Sequence, residues 1–376
     1  MKIGFDAKRA YNNATGLGNY SRLVLQSIFQ FHPDAEYRLY TPKVHHRYAS
    51  FLDGYPHADP ILPDSRISRF LHPLWRSKGI VDQLKDDGIQ LYHGLSNELP
   101  IGLKEADIRS VLTLHDLIFL RYPQYYPYVD RLFYQRKFER SCQEADVVVA
   151  ISRQTAKDIE QFYGIGEEKV KIVYQDCDPG FGLEVIEEDI AAVKDHYHLP
   201  DTYILCVGTI EQRKNQLNLI RAYRRLPADR PKLVLVGRKT AYFEQIDEYI
   251  QSNKLSEEVI ILENVFAAEL PALYAGAKFM VYPSYFEGFG LPLLEAMRIG
   301  LPVVSSNTSC FEEVAGEAGL YANPEDPEEL SDRMKSLLYD NSLFEQLKQN
   351  CKTQSLRFDA KKMADQLHDI YVGLMR

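Results

Sequence analysis

The stretch Tyr282-Pro283-Ser284-Tyr285-Phe286-Glu287-Gly288-Phe289-Gly290-Leu291-Pro292-Leu293-Leu294-Glu295-Ala296-Met297 decides the reading of this chain. An apolar run, Phe279 to Tyr282, leads into it and reads as a buried strand, followed by a glycine-bearing turn and a helix. Pro292 suits the first helical position, where its missing N–H would have had no partner. Gly288 and Gly290 let backbone come close to a ligand, and the start of a helix offers N–H groups to an anion. Two carboxylates, Glu287 and Glu295, bracket this anion site. A sugar nucleotide meets all three features: N–H groups for the diphosphate, one carboxylate for sugar hydroxyls and one for ribose hydroxyls. Standing alone, the stretch would read equally well as an ordinary strand–turn–helix unit with solvated glutamates.

Working outward, apolar β-branched runs alternate with helical patterns along nearly the whole chain, which predicts parallel sheets in an α/β architecture. The first set of strands is expected at Lys2–Asp6, Tyr37–Thr41, Leu91–His93, Ser110–His115, Val147–Ile151 and Val170–Tyr174. A second set is expected at Tyr203–Val207, Lys232–Val236, Val259–Leu262, Phe279–Tyr282 and Pro302–Ser305. A turn-rich junction, Gln175 to Gly182, separates them. The expectation is two doubly wound domains, residues 1–178 and 179–356, facing across a deep cleft, with a last helix over 357–376 returning to the first. In such sheets ligands bind beyond the carboxyl ends of the strands.

The 376 residues allow about two domains, each with its own core. With 45% hydrophobic and 26% charged residues the composition is that of an ordinary globular protein. No apolar run reaches the roughly 18 residues of a membrane-spanning helix. The N-terminus enters a strand pattern at once and shows no signal peptide. Cys142, Cys177, Cys206, Cys310 and Cys351 are scattered and without metal-ligand spacing, which fits reduced thiols in the cytoplasm. The net charge of −9 lies wholly in residues 181–376, which carry 21 Lys/Arg against 30 Asp/Glu; residues 1–180 carry 23 of each. Such a balance argues against nucleic-acid binding.

Four further motifs carry chemistry. Gly16-Leu17-Gly18-Asn19-Tyr20-Ser21 opens a helix expected from Tyr20 to about Phe29. It departs from the dinucleotide fingerprint, because Ser21 replaces the third glycine and the turn lies about nine residues past its strand. It reads either as a loop delivering backbone N–H groups or as a structural glycine turn. His115-Asp116 ends the run Val111 to Leu114, where a histidine can donate to a sugar hydroxyl or shuttle a proton. A core or turn histidine paired with its neighbour is the plainer alternative. Val207-Gly208-Thr209-Ile210-Glu211-Gln212-Arg213-Lys214-Asn215 places two cations before an amphipathic helix, where they oppose its dipole unless an anion is present. That points to a diphosphate. Finally, Arg66, Arg69, Phe70, Leu71, Trp75, Arg76 and Lys78 mix basic and apolar side chains, as an interfacial or lipid-linked acceptor contact would, or simply a surface helix. The segment Arg121 to Tyr128 reads as an irregular loop, and the tyrosines from Tyr122 to Tyr134 as a core cap before an acceptor lining.

Together these motifs resemble the GT-B glycosyltransferases of glycosyltransferase family 4, most of all its bacterial mannosyltransferase-like members. The carriers are EGFGLPLLEAM at 287–297, GLPVV at 300–304, EVAG at 313–316, GLGNY at 16–20, HD at 115–116 and GTIEQRKN at 208–215, in the family's order. The resemblance implies that Glu287 holds hydroxyls of the donor sugar and Glu295 the ribose. It implies that Arg213 and Lys214 neutralise the diphosphate, aided by the N–H groups of Gly288, Phe289, Gly290 and Leu291. Gly16 and Gly18 would bring backbone toward the donor, with Asn19 and Tyr20 close by, and His115, with Asp116 beside it, would contact the sugar near its reacting end. It further implies a retaining transfer of a hexose, foremost mannose from GDP-mannose, to a glycan or lipid-linked glycan of a bacterial surface polysaccharide. Neither metal nor cofactor is expected; a cytoplasmic location is, with peripheral association at the inner membrane's cytoplasmic face as its extension. A sugar-nucleotide epimerase of similar architecture and a non-catalytic two-domain binder are the rival readings. Thr209 stands where many relatives have arginine, which leaves the phosphates to Arg213 and Lys214. Gln175-Asp176-Cys177 replaces the usual Asn-Gly-Val at the junction.

Overall fold

The computed structural model describes residues 1–55, 58–64 and 72–376. Arg66, Arg69, Phe70 and Leu71 of the basic–apolar cluster lie outside them. The chain forms two compact units, Met1–Asp176 with Phe358–Arg376, and Cys177–Arg357.

The N-terminal unit holds a seven-stranded sheet in the order β3-β2-β1-β4-β5-β6-β7. Its strands are β1 (Lys2–Asp6), β2 (Glu36–Tyr40), β3 (Pro60–Ile61), β4 (Leu91–Gly94), β5 (Arg109–Leu114), β6 (Val147–Ala150) and β7 (Val170–Ile172). The C-terminal unit holds a six-stranded sheet in the order β10-β9-β8-β11-β12-β13. These strands are β8 (Tyr203–Val207), β9 (Lys232–Val236), β10 (Val259–Leu262), β11 (Phe279–Tyr282), β12 (Val303–Ser306) and β13 (Gly319–Ala322). All pairings between the named strands are parallel. Central strands such as β4 and β11 are buried at every residue, because helices cover both faces of a parallel sheet. Continuous apolar runs therefore announced them. The two strands that the sequence reading omits, β3 and β13, lie at sheet edges, where one side goes unpaired and the apolar signal weakens.

Each sheet reverses its order once, between β1 and β4 in the first unit and between β8 and β11 in the second. At such a switch point the loops leaving neighbouring strands diverge and open a crevice beyond the strand ends.

Three local expectations need correction. Gly16 and Gly18 belong to no loop or turn: the helix runs from Gly16 to Phe31 and includes both. Gly18 is required there because a Cβ would stand 2.0 Å from the carbonyl oxygen of Asn13. The Arg121–Tyr128 stretch is more ordered than an irregular loop, passing through a 3-10 turn at Pro123–Tyr125 into the helix Tyr128–Glu144. Tyr126 and Tyr134 do pack on the core, yet Tyr128 is 65% exposed. Pro292 is the second residue of its helix, Leu291–Ile299, one place later than expected and still within the turn that lacks N–H partners.

The last helix, Ala360–Met375, belongs to the N-terminal unit and buries Met363, Ala364, Leu367 and Tyr371.

Candidate functional site

Two loops meet at the switch point of the C-terminal unit. One leaves β8 and turns through Gln212–Lys214 into Asn215, whose φ of +61° is a left-handed conformation that asparagine tolerates. The Asn215 amide donates to the carbonyls of Pro283 (3.1 Å) and Pro324 (2.7 Å), fastening this loop to the one that leaves β11. A backbone bond from Tyr285 N to Arg213 O (2.9 Å) fastens it again.

The fastening brings three predicted residues into one cluster. Oε1 of Glu287 lies 2.7 Å from Nη1 of Arg213 and 2.5 Å from Nζ of Lys214, and it accepts from Ser284 Oγ at 2.8 Å. Arg213 also donates to Phe286 O and pairs with Glu211, both at 2.6 Å. Lys214 also donates to the hydroxyl of Tyr282 (2.7 Å). Burial pushes the Glu287 carboxyl up, but Arg213 and Lys214 together outweigh it and bring the group down to about 2. The anion that the Arg-Lys pair demanded is thus present in the fold itself. Ser309 holds the Glu287 backbone from both sides, accepting from its N–H (3.1 Å) and donating to its carbonyl (2.7 Å).

Glu295 occupies a different environment. It sits on the helix Leu291–Ile299 and accepts from Tyr274 Oη at 2.7 Å. Burial raises it to about 7; Asp178 adds to the rise, while the Tyr274 bond and Lys214 oppose it. The two carboxylates of the motif therefore differ in charge near neutrality. Gly288, Phe289 and Gly290 are buried at the mouth of this helix, ahead of Leu291. Gly290, at φ +88°, caps the helix in a conformation that favours glycine.

In the N-terminal unit the structure joins His115 to Tyr20: the rings meet edge to face with centroids 4.6 Å apart. The His115 N–H donates to Asn97 Oδ1 (2.8 Å), and its Nε2 donates to Leu95 O (2.9 Å), which leaves Nδ1 as the acceptor nitrogen. Burial lowers the imidazole to about 4, so it is neutral at pH 7. Asp116 accepts from Ile118 N (3.1 Å), and Asn19 from Arg22 (2.6 Å). Tyr20 Oη lies 3.1 Å from Thr113 Oγ1, itself 2.9 Å from His93, whose other nitrogen meets Tyr371 Oη at 2.7 Å.

Residues 33–179 match the family model described as Glycosyltransferase Family 4, and residues 192–354 the one described as Glycosyl transferases group 1. The chain is 30% identical to the O-antigen chain mannosyltransferase B of Escherichia coli, over 95% of this chain and 98% of that one.

The chain belongs to glycosyltransferase family 4.

The serotype-specific mannosyltransferase WbdA of E. coli is 33% identical over 76% of this chain but only 36% of its own length. Among solved structures, HepE of Anabaena in complex with UDP superposes with a TM-score of 0.79 at 20% identity, covering 99% of this chain and all of that one. At that identity the likeness shows the fold, which is GT-B, with two Rossmann-like domains. Of the residues that hold Glu287, Glu295 and Lys214 in place, Tyr274, Tyr282, Ser284 and Ser309 were not assigned from sequence. Ser309 follows the strand Val303–Ser306 closely, whereas Tyr274 comes from the separate helix Leu270–Ala275 and carries no local signal.

Proposed function

We propose that this glycosyltransferase moves a hexose, mannose from GDP-mannose, onto a glycan or lipid-linked glycan of a bacterial surface polysaccharide, with retention of configuration. The observation that carries the reading is the Arg213–Lys214–Glu287 cluster at the switch point of the C-terminal unit. The E. coli relative over nearly the full chain, named an O-antigen mannosyltransferase, supports the donor and the pathway.

Arg213 and Lys214 take the diphosphate, releasing Glu287 in part to hydroxyls of the sugar, while Glu295 takes the ribose hydroxyls. N–H groups from Gly288 to Leu291 add to the phosphate contacts. His115, Asp116, Asn19, Tyr20 and the backbone at Gly16 and Gly18 keep the donor contacts that the family resemblance assigns them. In the transfer, the bond from the anomeric carbon to the phosphate oxygen breaks, and a bond to the acceptor oxygen forms on the same face. The acceptor proton passes to the departing diphosphate. The protein's work is positioning and stabilisation of leaving-group charge, which is where much catalytic power resides. Arg213 and Lys214 supply positive charge that a metal would otherwise bring, and the proposal includes no resident cofactor.

Among the described residues, no helix is long and apolar enough to cross a membrane. A cytoplasmic enzyme resting peripherally on the membrane completes the proposal.

The test is calorimetric titration with GDP, UDP and ADP in chelator, followed by assay of GDP-mannose with membrane extract as acceptor source. Preferential GDP binding and label transferred with retention support the reading. Donor turned over without acceptor to a new sugar nucleotide would replace it by epimerisation, and binding with neither turnover nor transfer by a pure binder.

A further inference from the structure

The seven-stranded sheet carries polar groups where a parallel sheet is usually apolar. His93 of β4 and Thr113 of β5 are fully buried on central strands. Tyr371 of the last helix is equally buried, and Tyr20 of the helix Gly16–Phe31 is 2% exposed. These four side chains form one hydrogen-bonded chain, Tyr371–His93–Thr113–Tyr20, with links of 2.7, 2.9 and 3.1 Å. Four hydrogens share three links, so every member is bonded. Apolar surface surrounds the chain: the Phe5 ring lies 5.8 Å from His93 and 6.2 Å from Tyr371. Burial, with His115 nearby, lowers the His93 imidazole to about 3, so it stays neutral with one donor and one acceptor nitrogen. A buried polar chain carries a desolvation cost that apolar side chains of the same shape would avoid. What it provides is one fixed arrangement of the groups it joins.

That arrangement ends at the candidate site. Tyr20 carries the chain to His115, whose ring it meets edge to face at 4.6 Å. The bond from Nε2 to Leu95 O pins one corner of the imidazole. About that corner the ring can still turn, and the Tyr20 ring stands against the turn. The aim of Nδ1, the nitrogen left to accept from a ligand, therefore depends on where Tyr20 stands. At the other end of the chain, Tyr371 lies 278 residues after His93 and reaches it because the last helix belongs to the N-terminal unit.

We propose that His93, Thr113 and Tyr371 are positioning residues for transfer, holding His115 through Tyr20 in the orientation that meets the donor sugar. The inference deepens the proposed function and rests on it for the sugar contact of His115. Its consequence is specific. Loss of the chain disturbs the reacting geometry and spares nucleotide binding, whereas a role in core stability alone would lower melting temperature and spare turnover.

The experiment compares the full chain with its Tyr371→Phe, Thr113→Val and Thr113→Ser variants. Tyr371→Phe removes one oxygen at the far end of the chain and keeps the ring beside Phe5. It should lower kcat for transfer from GDP-mannose about tenfold, since a misplacement of roughly 1 Å costs on the order of 100-fold. KM and GDP affinity should stay as in the parent. Thr113→Val should behave alike, and Thr113→Ser, which keeps the hydroxyl, should match the parent. In a His115→Ala background Tyr371→Phe should lower kcat no further, because both changes act through one ring. A lower melting temperature with kcat kept overturns the inference, as does an undiminished loss in the His115→Ala background. Nitrogen-15 spectra of the histidine rings give a readout that needs no turnover. The His115 signals, identified by their absence from His115→Ala, should shift in Tyr371→Phe. Unmoved signals overturn the positioning role. Shifted signals in a protein whose parent binds no GDP would refute the donor reading and leave the positioning of His115 standing.

Discussion

Glu287 occupies the place of an anion against Arg213, its Oε1 2.7 Å from Nη1. The two residues lie far apart in the chain and meet because β8 and β11 are neighbours. Their pairing means that a diphosphate competes with Glu287 for the cations.

Removing that competitor has a predictable sign. Glu287→Gln should keep or strengthen GDP binding while lowering transfer by roughly 100-fold or more, the scale seen when a transition-state contact is lost. Without ligand the variant should melt lower, because Arg213 and Lys214 lose their buried counter-charge, a loss of about 3–5 kcal/mol for a fully buried pair. GDP should therefore raise the melting temperature of the variant more than that of the parent. Equal loss of GDP binding and of transfer would refute this division of roles.

Acid should reveal the same cluster. The folded Glu287 carboxyl, at about 2, lies below its ordinary value of 4.5. Its stabilising contribution is thus complete above about pH 4.5 and is lost as pH falls toward 2. In Arg213→Ala the loss should begin at higher pH, which circular dichroism during acid titration would detect. Identical acid curves would show that the pair does not hold the carboxylate.

Glu295 has the opposite sign. Its folded value of about 7 lies above the ordinary 4.5, so the folded state binds the extra proton between these values. Its contribution to stability is complete below pH 4.5 and lost as pH rises through 7. Glu295→Gln should therefore melt higher than the parent at pH 8 and equal to it near pH 4.5. If ribose hydroxyls donate to the ionised carboxylate, GDP affinity rises from pH 6 to 8 in the parent and stays flat in the variant. Calorimetry at three pH values decides this.

His115, lowered to about 4, should contribute no inflection near pH 6.5 to the pH–rate profile. His115→Ala should reduce kcat at least tenfold and leave GDP affinity unchanged. An inflection near 6.5 that vanishes in the variant would show that the imidazole titrates during turnover.

Much of the architecture was legible because the physics was local. Runs such as Val147–Ala150 and Phe279–Tyr282 are apolar at consecutive residues, as strands covered on both faces must be, and the Pro292 helix start follows from backbone chemistry. The short edge strands Pro60–Ile61 and Gly319–Ala322 lacked such runs. Gly18 was visible as a glycine, but its reason, the carbonyl of Asn13 against its Cα, depends on how the helix packs.

At the site the same line divides what was readable from what was not. That Arg213 and Lys214 need an anion follows from their place before a helix. That Glu287 is this anion, that Tyr274 binds Glu295, and that Tyr371 meets His93 were decided by tertiary structure. Periodicity records which residues end a strand. Which strand ends stand side by side depends on the order of strands in the sheet, and packing of the whole domain sets that order.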